Sequence, residues 1–227
     1  SEPKRVFLTF DDGPTKQVTP YILDLLKQEN IKASFFVLGT RVESNPELVK
    51  REYEEGHFIG NHGYTHKYSS IYSSIDSVMN EYSKTNEAIK KAVGNDKFNS
   101  LVFRFPGGSV GGTYNDLKKE AERQLEEKGI GSVDWNALTN DAAGARTKEK
   151  ILKNFYDTIQ GKTSIVLLMH DAYIFCLLFL FLLDLMVQIA FLFFVFFLLL
   201  PLSFDFLHRF FSLKFPLQIY YQPFLLC

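Results

Sequence analysis

The sequence predicts an α/β protein built on a parallel sheet, and three observations predict it. Up to residue 170, short apolar runs alternate with amphipathic segments, the pattern of repeated βαβ units. The amphipathic segments tend to open on Pro and close on Gly, as helices do. The apolar runs end in reactive residues, which is where α/β proteins collect their chemistry.

The first strand is read at residues 6–10, running straight into Asp11-Asp12-Gly13-Pro14. A helix follows, with Thr19 as N-cap, Pro20 at its first position, Ile22, Leu25 and Leu26 buried, and an end near Asn30. A strand at 33–38 leads to a second helix that repeats the device with Asn45-Pro46 and stops at Gly56. After a strand at 57–60, Ile75, Val78, Met79, Tyr82, Ile89 and Val93 share one face of a longer helix that ends at Gly94. A strand at 101–105 precedes the helix of Leu117, Ala121 and Leu125, which closes before Gly129. The last units are a strand at 131–135, a helix carrying Ile151, Leu152, Phe155 and Ile159 with Gly161 as its cap, and a strand at 164–169. Six strands in a right-handed βα series are therefore expected.

At 227 residues the chain has room for one such domain, with or without a short appendage. A net charge of -1 with Lys and Glu interspersed gives no basic stripe, so no nucleic-acid partner is expected. A neutral polymer or a small substrate fits better. The chain opens at Ser1 with no initiator Met and no signal-type segment, and reads as a portion of something longer.

Composition breaks near residue 171. Residues 1–170 carry nine of the 23 Phe and nearly all the charge, whereas 171–227 carry fourteen Phe and both cysteines, Cys176 and Cys227. From 174 to 200 only Asp184 and Gln188 interrupt the apolar run, enough to cross roughly 30 Å of hydrocarbon. Three readings of the tail stand: out-of-frame translation, a membrane segment, or a buried core helix. The division expected is a catalytic domain at 1–171 and a hydrophobic tail at 172–227, with a membrane as partner only if the 174–200 segment is genuine.

Each strand end delivers a reactive group: Asp11 and Asp12, then His62 and His66, Arg104, Asp134 with Trp135, and His170. Two imidazoles and a carboxylate suit Zn²⁺, with Co²⁺, Ni²⁺ or Fe²⁺ open to the same ligands, so Asp12, His62 and His66 are read as the metal set. Asp11 is placed to take a proton from an activated water, and His170 to give one to a leaving group, with Asp134 orienting it. Singly, each residue has a bland alternative: a turn at 11–14, surface histidines, an ion pair at Arg104, a core Trp135. His57 and His208 are read as structural or surface histidines, and Asp141 and Asp171 as outer-shell groups.

The ordered segments Thr-Phe-Asp-Asp-Gly-Pro at 9–14, His-Gly-Tyr-Thr-His at 62–66, Arg-Phe-Pro-Gly-Gly at 104–108, Asp134-Trp135 and Leu-Met-His at 168–170 resemble the five motifs of the polysaccharide deacetylases, the NodB homology domain of carbohydrate esterase family 4. The resemblance covers residues 5 to about 171. It implies a deformed (β/α) barrel, and a metal-dependent removal of N-acetyl groups from N-acetylglucosamine polymers, nearest to the bacterial peptidoglycan deacetylases, with chitin-type substrates open. By the same resemblance Asp11 is the base, tethered by Arg104, and His170 the acid, tuned by Asp134. Trp135 and Leu168 wall an acetyl pocket, and the Gly107 amide holds the oxyanion, where relatives often carry an aromatic residue. Tyr64, with Tyr68 and Tyr72, is a candidate for a sugar groove. A monomer at the cell envelope or outside the cell is implied. Two rivals stand beside this reading: a non-catalytic glycan-binding remnant, and a metal-dependent acyl esterase.

Overall fold

The computed structural model describes residues 5–177 and Leu180. Seven strands, β1 (Arg5–Asp11), β2 (Ser34–Val37), β3 (Phe58–Asn61), β4 (Val102–Phe103), β5 (Gly131–Ser132), β6 (Ala137–Leu138) and β7 (Ser164–His170), form one sheet in the order β5-β4-β3-β2-β1-β7-β6. Every pairing is parallel. The helices are α1 (Thr19–Gln28), α2 (Gly39–Ser44), α3 (Pro46–Glu54), α4 (Tyr68–Ile71), α5 (Ile75–Val93), α6 (Asn115–Glu126) and α7 (Lys148–Ile159).

The sheet must curl. β5 and β6 lie at opposite edges, yet only residues 133–136 join them. That link reaches at most about 18 Å, whereas seven flat strands would hold the edges about 29 Å apart. The expected deformed barrel is what this connection enforces. Among the described residues no pairing closes β5 on β6, so the barrel stays open there, and Asp134 and Trp135 sit in the gap.

Period-two alternation on β1 sends Val6, Leu8 and Phe10 to the helix-covered core and Thr9 and Asp11 to the other face. Ile22, Leu23 and Leu26 of α1, Ile89 of α5 and Ile151 of α7 pack on the first set; each such fully buried side chain contributes roughly 1.5–3 kcal/mol. A second core under α5 and α6 joins Val78, Tyr82, Phe103, Phe105, Ala121 and Leu125.

Several local expectations hold. α5 begins after Ser74, whose side chain accepts from Ser77 N, and ends at Gly94 with φ 68°. Pro20 and Pro46 occupy the first turns of α1 and α3. Thr19 is not a cap: the cap position is Val18, and the Thr19 hydroxyl instead donates to Asp171 Oδ2 at 2.6 Å. Leu25 is only half-buried, its place in the core taken by Leu23. His57 is structural, with Nδ1 accepting from Ala33 N at 3.2 Å. Two short helices, α2 and α4, and the two-residue β6 carried too little periodicity to be read in the sequence.

Of the hydrophobic tail, residues 175–177 are helical, and Cys176, Leu177 and Leu180 join the main core. Residues 178–179 and 181–227, which hold most of the 174–200 segment and His208, lie outside the described residues. Among the described residues no helix is long and apolar enough to cross a membrane.

Candidate active site

The register between β1 and β7 builds the site first. Its last pair is Asp11 with His170, so two residues far apart in sequence end side by side on neighbouring strands. Just beyond, Asp12 turns back with φ 72°, a conformation Asp tolerates better than most residues. Gly13 is needed for a different reason. A Cβ there would fall 1.9 Å from Asp171 Oδ2, so the chain passes against that carboxylate only because it lacks a side chain.

Arg104 follows β4 and runs, fully buried, beneath the site. Its Nη1 donates to Asp11 Oδ1 and to Thr9 Oγ1, both at 2.8 Å, and its Nε donates to the Val133 carbonyl at 3.0 Å. The guanidinium lies 3.9 Å from the centre of the Phe36 ring. That ring fits because β3 carries Gly60 opposite it, where a Cβ would sit 2.4 Å from the ring. Burial raises the Asp11 carboxyl above its ordinary range, against the pull of the Arg104 charge. A carboxylate held this way is both oriented and a better proton acceptor than a solvated one.

His62 and His66 come from the loop after β3. His62 Nδ1 lies 2.7 Å from the Arg104 carbonyl, which can only accept, so Nδ1 carries the proton and Nε2 is left as a lone pair. Burial, aided by the charges of His66 and Arg104, lowers the His62 pKa to about 3 against the pull of Asp12, keeping the imidazole neutral. His62 Nε2 is 3.5 Å and His66 Nε2 3.4 Å from the same oxygen, Asp12 Oδ1. That oxygen is buried and accepts no hydrogen bond among the described residues. One donor atom from each residue lies within 4.8 Å of the others. A buried acceptor with no donor, facing the free lone pair of His62 Nε2 and a second imidazole nitrogen, fits a divalent cation.

His170 is held by Asp141, not by the expected Asp134. Asp141 Oδ1 is 3.1 Å from His170 Nδ1, and its Oδ2 accepts from the His170 backbone N–H at 2.8 Å. The reason is register: β6 pairs Leu138 with Leu168, so the residues just after β6 run beside the end of β7. Burial lowers the His170 pKa, but the hydrogen bond and charge of Asp141, with the charges of Asp11 and Asp12, outweigh it and lift the group to about 8.

Asp134 serves the opposite wall. Both its oxygens accept from Ser109 N at 3.0 Å, and Oδ2 also accepts from Ser109 Oγ at 2.7 Å. Lys118 Nζ donates to the Gly108 carbonyl and Tyr72 Oη to the Pro106 carbonyl, each at 2.7 Å. Gly107, with φ 78°, lies in the middle of this anchored turn. A Cβ at 107 would fall 2.4 Å from Tyr68 Oη, so a tyrosine from α4 occupies the space a side chain there would enter.

Asp11, Asp12, His62, His66, Gly107, Trp135, Leu168 and His170 all line one hollow of about 340 Å³, walled further by Tyr68, Leu138 and Tyr173. Arg104 and Asp134 support it from below and behind. Tyr64 does not line it, contrary to expectation. Its hydroxyl donates to Glu43 Oε2 at 2.8 Å and its ring packs on Gly39, bracing α2. The aromatic that reaches the hollow is Tyr68. Sequence reasoning gave no role to Glu81 or Lys118; their charge on otherwise amphipathic faces, at buried positions, was the only signal available.

Residues 1–128 match the family model described as polysaccharide deacetylase. A peptidoglycan-N-acetylglucosamine deacetylase of Listeria monocytogenes is 39% identical over 172 residues, 74% of this chain and 32% of that protein. One of Bacillus cereus is 37% identical over 175 residues, 75% of this chain and 60% of that protein. The chain thus spans less than two thirds of these curated relatives. Among solved structures, the catalytic domain of peptidoglycan N-acetylglucosamine deacetylase from Eubacterium rectale aligns with a TM-score of 0.72 at 30% identity, covering 82% of this chain and 84% of that one. A Streptococcus mutans CE4 esterase aligns at 0.68 and 34% identity, covering 74% of each chain. With a family match across more than half its length, and the curled parallel sheet and strand-end site to go with it, the chain belongs to the polysaccharide deacetylase family.

Proposed function

We propose that the chain removes N-acetyl groups from N-acetylglucosamine residues of peptidoglycan, using a divalent cation held by Asp12, His62 and His66. One observation carries the reading: Asp11 and His170 end adjacent strands beside the Asp12-His62-His66 cluster and face the same hollow. The donor set suits Zn²⁺, with Co²⁺, Ni²⁺ and Fe²⁺ able to use it. When bound, such a cation polarises an amide carbonyl and lowers the pKa of a water. The relatives named for peptidoglycan support that polymer, and an envelope or extracellular site of action, for this chain.

The protein's own groups then divide the work. Asp11 takes a proton from water as the water oxygen adds to the acetyl carbon, and Arg104 keeps the carboxylate aimed. The N–H of Gly107 serves as donor for the oxygen that gains charge. His170, with Nδ1 on Asp141, presents Nε2–H to the amide nitrogen. As the C–N bond breaks, the leaving amine takes that proton, and acetate and a glucosamine amine remain. Trp135 and Leu168 enclose the methyl end of the acetyl group.

The test is acetate release from peptidoglycan and from N-acetylglucosamine oligomers by chain stripped of metal and then reloaded with Zn²⁺ or Co²⁺. Release is expected only after reloading, and not from Asp11→Asn. Glycan binding without acetate from the loaded protein would leave a non-catalytic module instead.

A further inference from the structure

Both imidazoles of the metal set sit on a loop that has no regular structure of its own, so something else must fix it. On its N–H side that group is a carboxylate on α5. Glu81 is buried, at 5% exposure. Its Oε2 accepts from the backbone N–H groups of Tyr64 and Thr65 at 2.8 and 2.9 Å, and its Oε1 accepts from Thr65 Oγ1 at 2.6 Å. Oε1 also takes a weaker bond from Ser70 Oγ, on α4, at 3.3 Å. The residues bound are those between His62 and His66, and the helix bound is the one that carries Tyr68 into the hollow.

The fit around this carboxylate is close. Gly63, with φ 81°, would place a Cβ 3.2 Å from Glu81 Oε2 and 3.0 Å from Ile71 Cδ1, so the loop can wrap the carboxylate only with glycine at that position. Other ties bind the loop too: Gly63 N donates to Asn61 Oδ1 at 3.0 Å, His62 Nδ1 bonds the Arg104 carbonyl, and the Gly63 and Tyr64 carbonyls accept from Gly39 N and Thr40 N at 3.0 and 3.1 Å. The first two fix the His62 end, and the last two hold the carbonyls of residues 63 and 64 to α2, leaving the N–H side of the stretch to Glu81. Among the described residues Glu81 is the side chain that accepts from the backbone N–H groups leading to His66, whereas Glu43 binds only the outward-pointing Tyr64 hydroxyl.

We infer that Glu81 is a positioning residue for the metal set, holding His66 in register with His62 and Asp12 and thereby setting the affinity of the site for a divalent cation. It touches neither the cation nor the substrate. Groups that orient metal ligands are worth about 10- to 100-fold in affinity or activity. The inference rests on the metal-dependent reading proposed above.

The test is Co²⁺ titration of the metal-free full chain, followed by calorimetry and by the visible absorption of the bound ion. Wild type, Glu81→Gln and Thr65→Val are compared, with circular dichroism and thermal melts as the check on folding. Glu81→Gln keeps the side-chain shape but replaces one accepting oxygen by a donor. It is expected to weaken Co²⁺ binding about 10-fold or more and to alter the absorption band; Thr65→Val, which removes only the hydroxyl bond, should weaken binding several-fold. A folded Glu81→Gln that binds Co²⁺ with wild-type affinity and spectrum overturns the inference, as does an unchanged Thr65→Val if the first variant does not fold. If wild type itself binds no cation, the metal-dependent reading fails and takes this inference with it, an outcome distinct from loss of the difference between variants.

Discussion

Arg104 Nη1 and Asp11 Oδ1 meet at 2.8 Å with both side chains withdrawn from solvent, the arginine at 0% exposure and the aspartate at 3%. The arginine binds β1, through Thr9 and Asp11, and the 133–134 turn at once, so it is part of the barrel's interior as well as of the site.

Removing one member of such a pair strands the other. Arg104→Met leaves Asp11 buried with no cation, and should cost about 3–5 kcal/mol in urea unfolding. Asp11→Asn keeps an oxygen for Arg104 and should cost less, yet lower the rate by about 10²–10⁴ because the proton acceptor is gone. If the two variants lose the same stability, the pair is not what secures this part of the core.

The His170 pair gives a pH signature. Folding raises the imidazole from the ordinary 6.5 to about 8. A raised pKa means stability that is fully present below pH 6.5 and fades as the pH rises through 8, on the order of 2 kcal/mol. Activity needs the protonated form, so its alkaline limb should fall near the same pH. Asp141→Asn leaves burial unopposed by its strongest partner and should shift that limb down by a unit or more, whereas Asp134→Asn should leave it in place. A limb that moves with Asp134 instead would restore the pairing expected from sequence.

That misassignment shows where the sequence stops being legible. Pro20, Pro46 and Gly94 mark helix ends through local backbone preferences, and Ile75 to Val93 announces α5 by period alone. The strand-end residues around the hollow could be named because each follows an apolar run. Asp141 could not be given its role, because that depends on β6 pairing with β7, and two residues have no readable periodicity. Tyr64, Tyr68 and Tyr72 are equivalent candidates in sequence, but loop direction points Tyr64 at Glu43, and Tyr68 reaches the hollow from a helix of four residues. Thr19 looked like a cap because its real partner, Asp171, is distant in sequence.

The cation should be visible in stability as well as rate. A ligand that binds only the folded chain stabilises it by about 2.7 kcal/mol at a hundred times its Kd, so Zn²⁺ should raise the melting temperature of the metal-free protein and a chelator should reverse it. Asp12→Ala removes the oxygen shared by both imidazoles and should abolish the rise. A Zn²⁺ effect that survives Asp12→Ala would place the ion elsewhere.

Gly13→Ala tests the close pass of β1's end against β7's. The added methyl meets Asp171 Oδ2 at 1.9 Å, with no flexible atom free to yield, because that oxygen is bonded to Thr19. Overpacking of this kind costs about 1–3 kcal/mol, and the shift it forces passes directly to Asp11 and Asp12. The double variant Gly13→Ala, Asp171→Ala removes the obstacle and should be more stable than the sum of the single effects allows. Simple additivity would mean the contact is not the source of the cost.

Lys118 tests the other wall. It is 5% exposed, its Nζ lies 5.8 Å from the Tyr72 ring centre, and it donates to the Gly108 carbonyl, next to the amide proposed as oxyanion donor. The turn contains Gly107 and Gly108, both with positive φ, and such a turn has little stiffness of its own. Asp134 holds its far side through Ser109, and Lys118 holds it from α6, so loss of Lys118 frees one side only. An oxyanion donor acts in the transition state and not in the ground state, so misplacing it should lower kcat and leave KM nearly alone. Losing a donor outright costs about 10²–10³ in kcat, so loosening one should cost about 10-fold. Lys118→Met is expected to show that split, and Lys118→Arg, which can still reach the carbonyl, to recover part of it. If Lys118→Met raises KM at constant kcat, the lysine serves the substrate's neighbouring sugars and the amide is fixed without it.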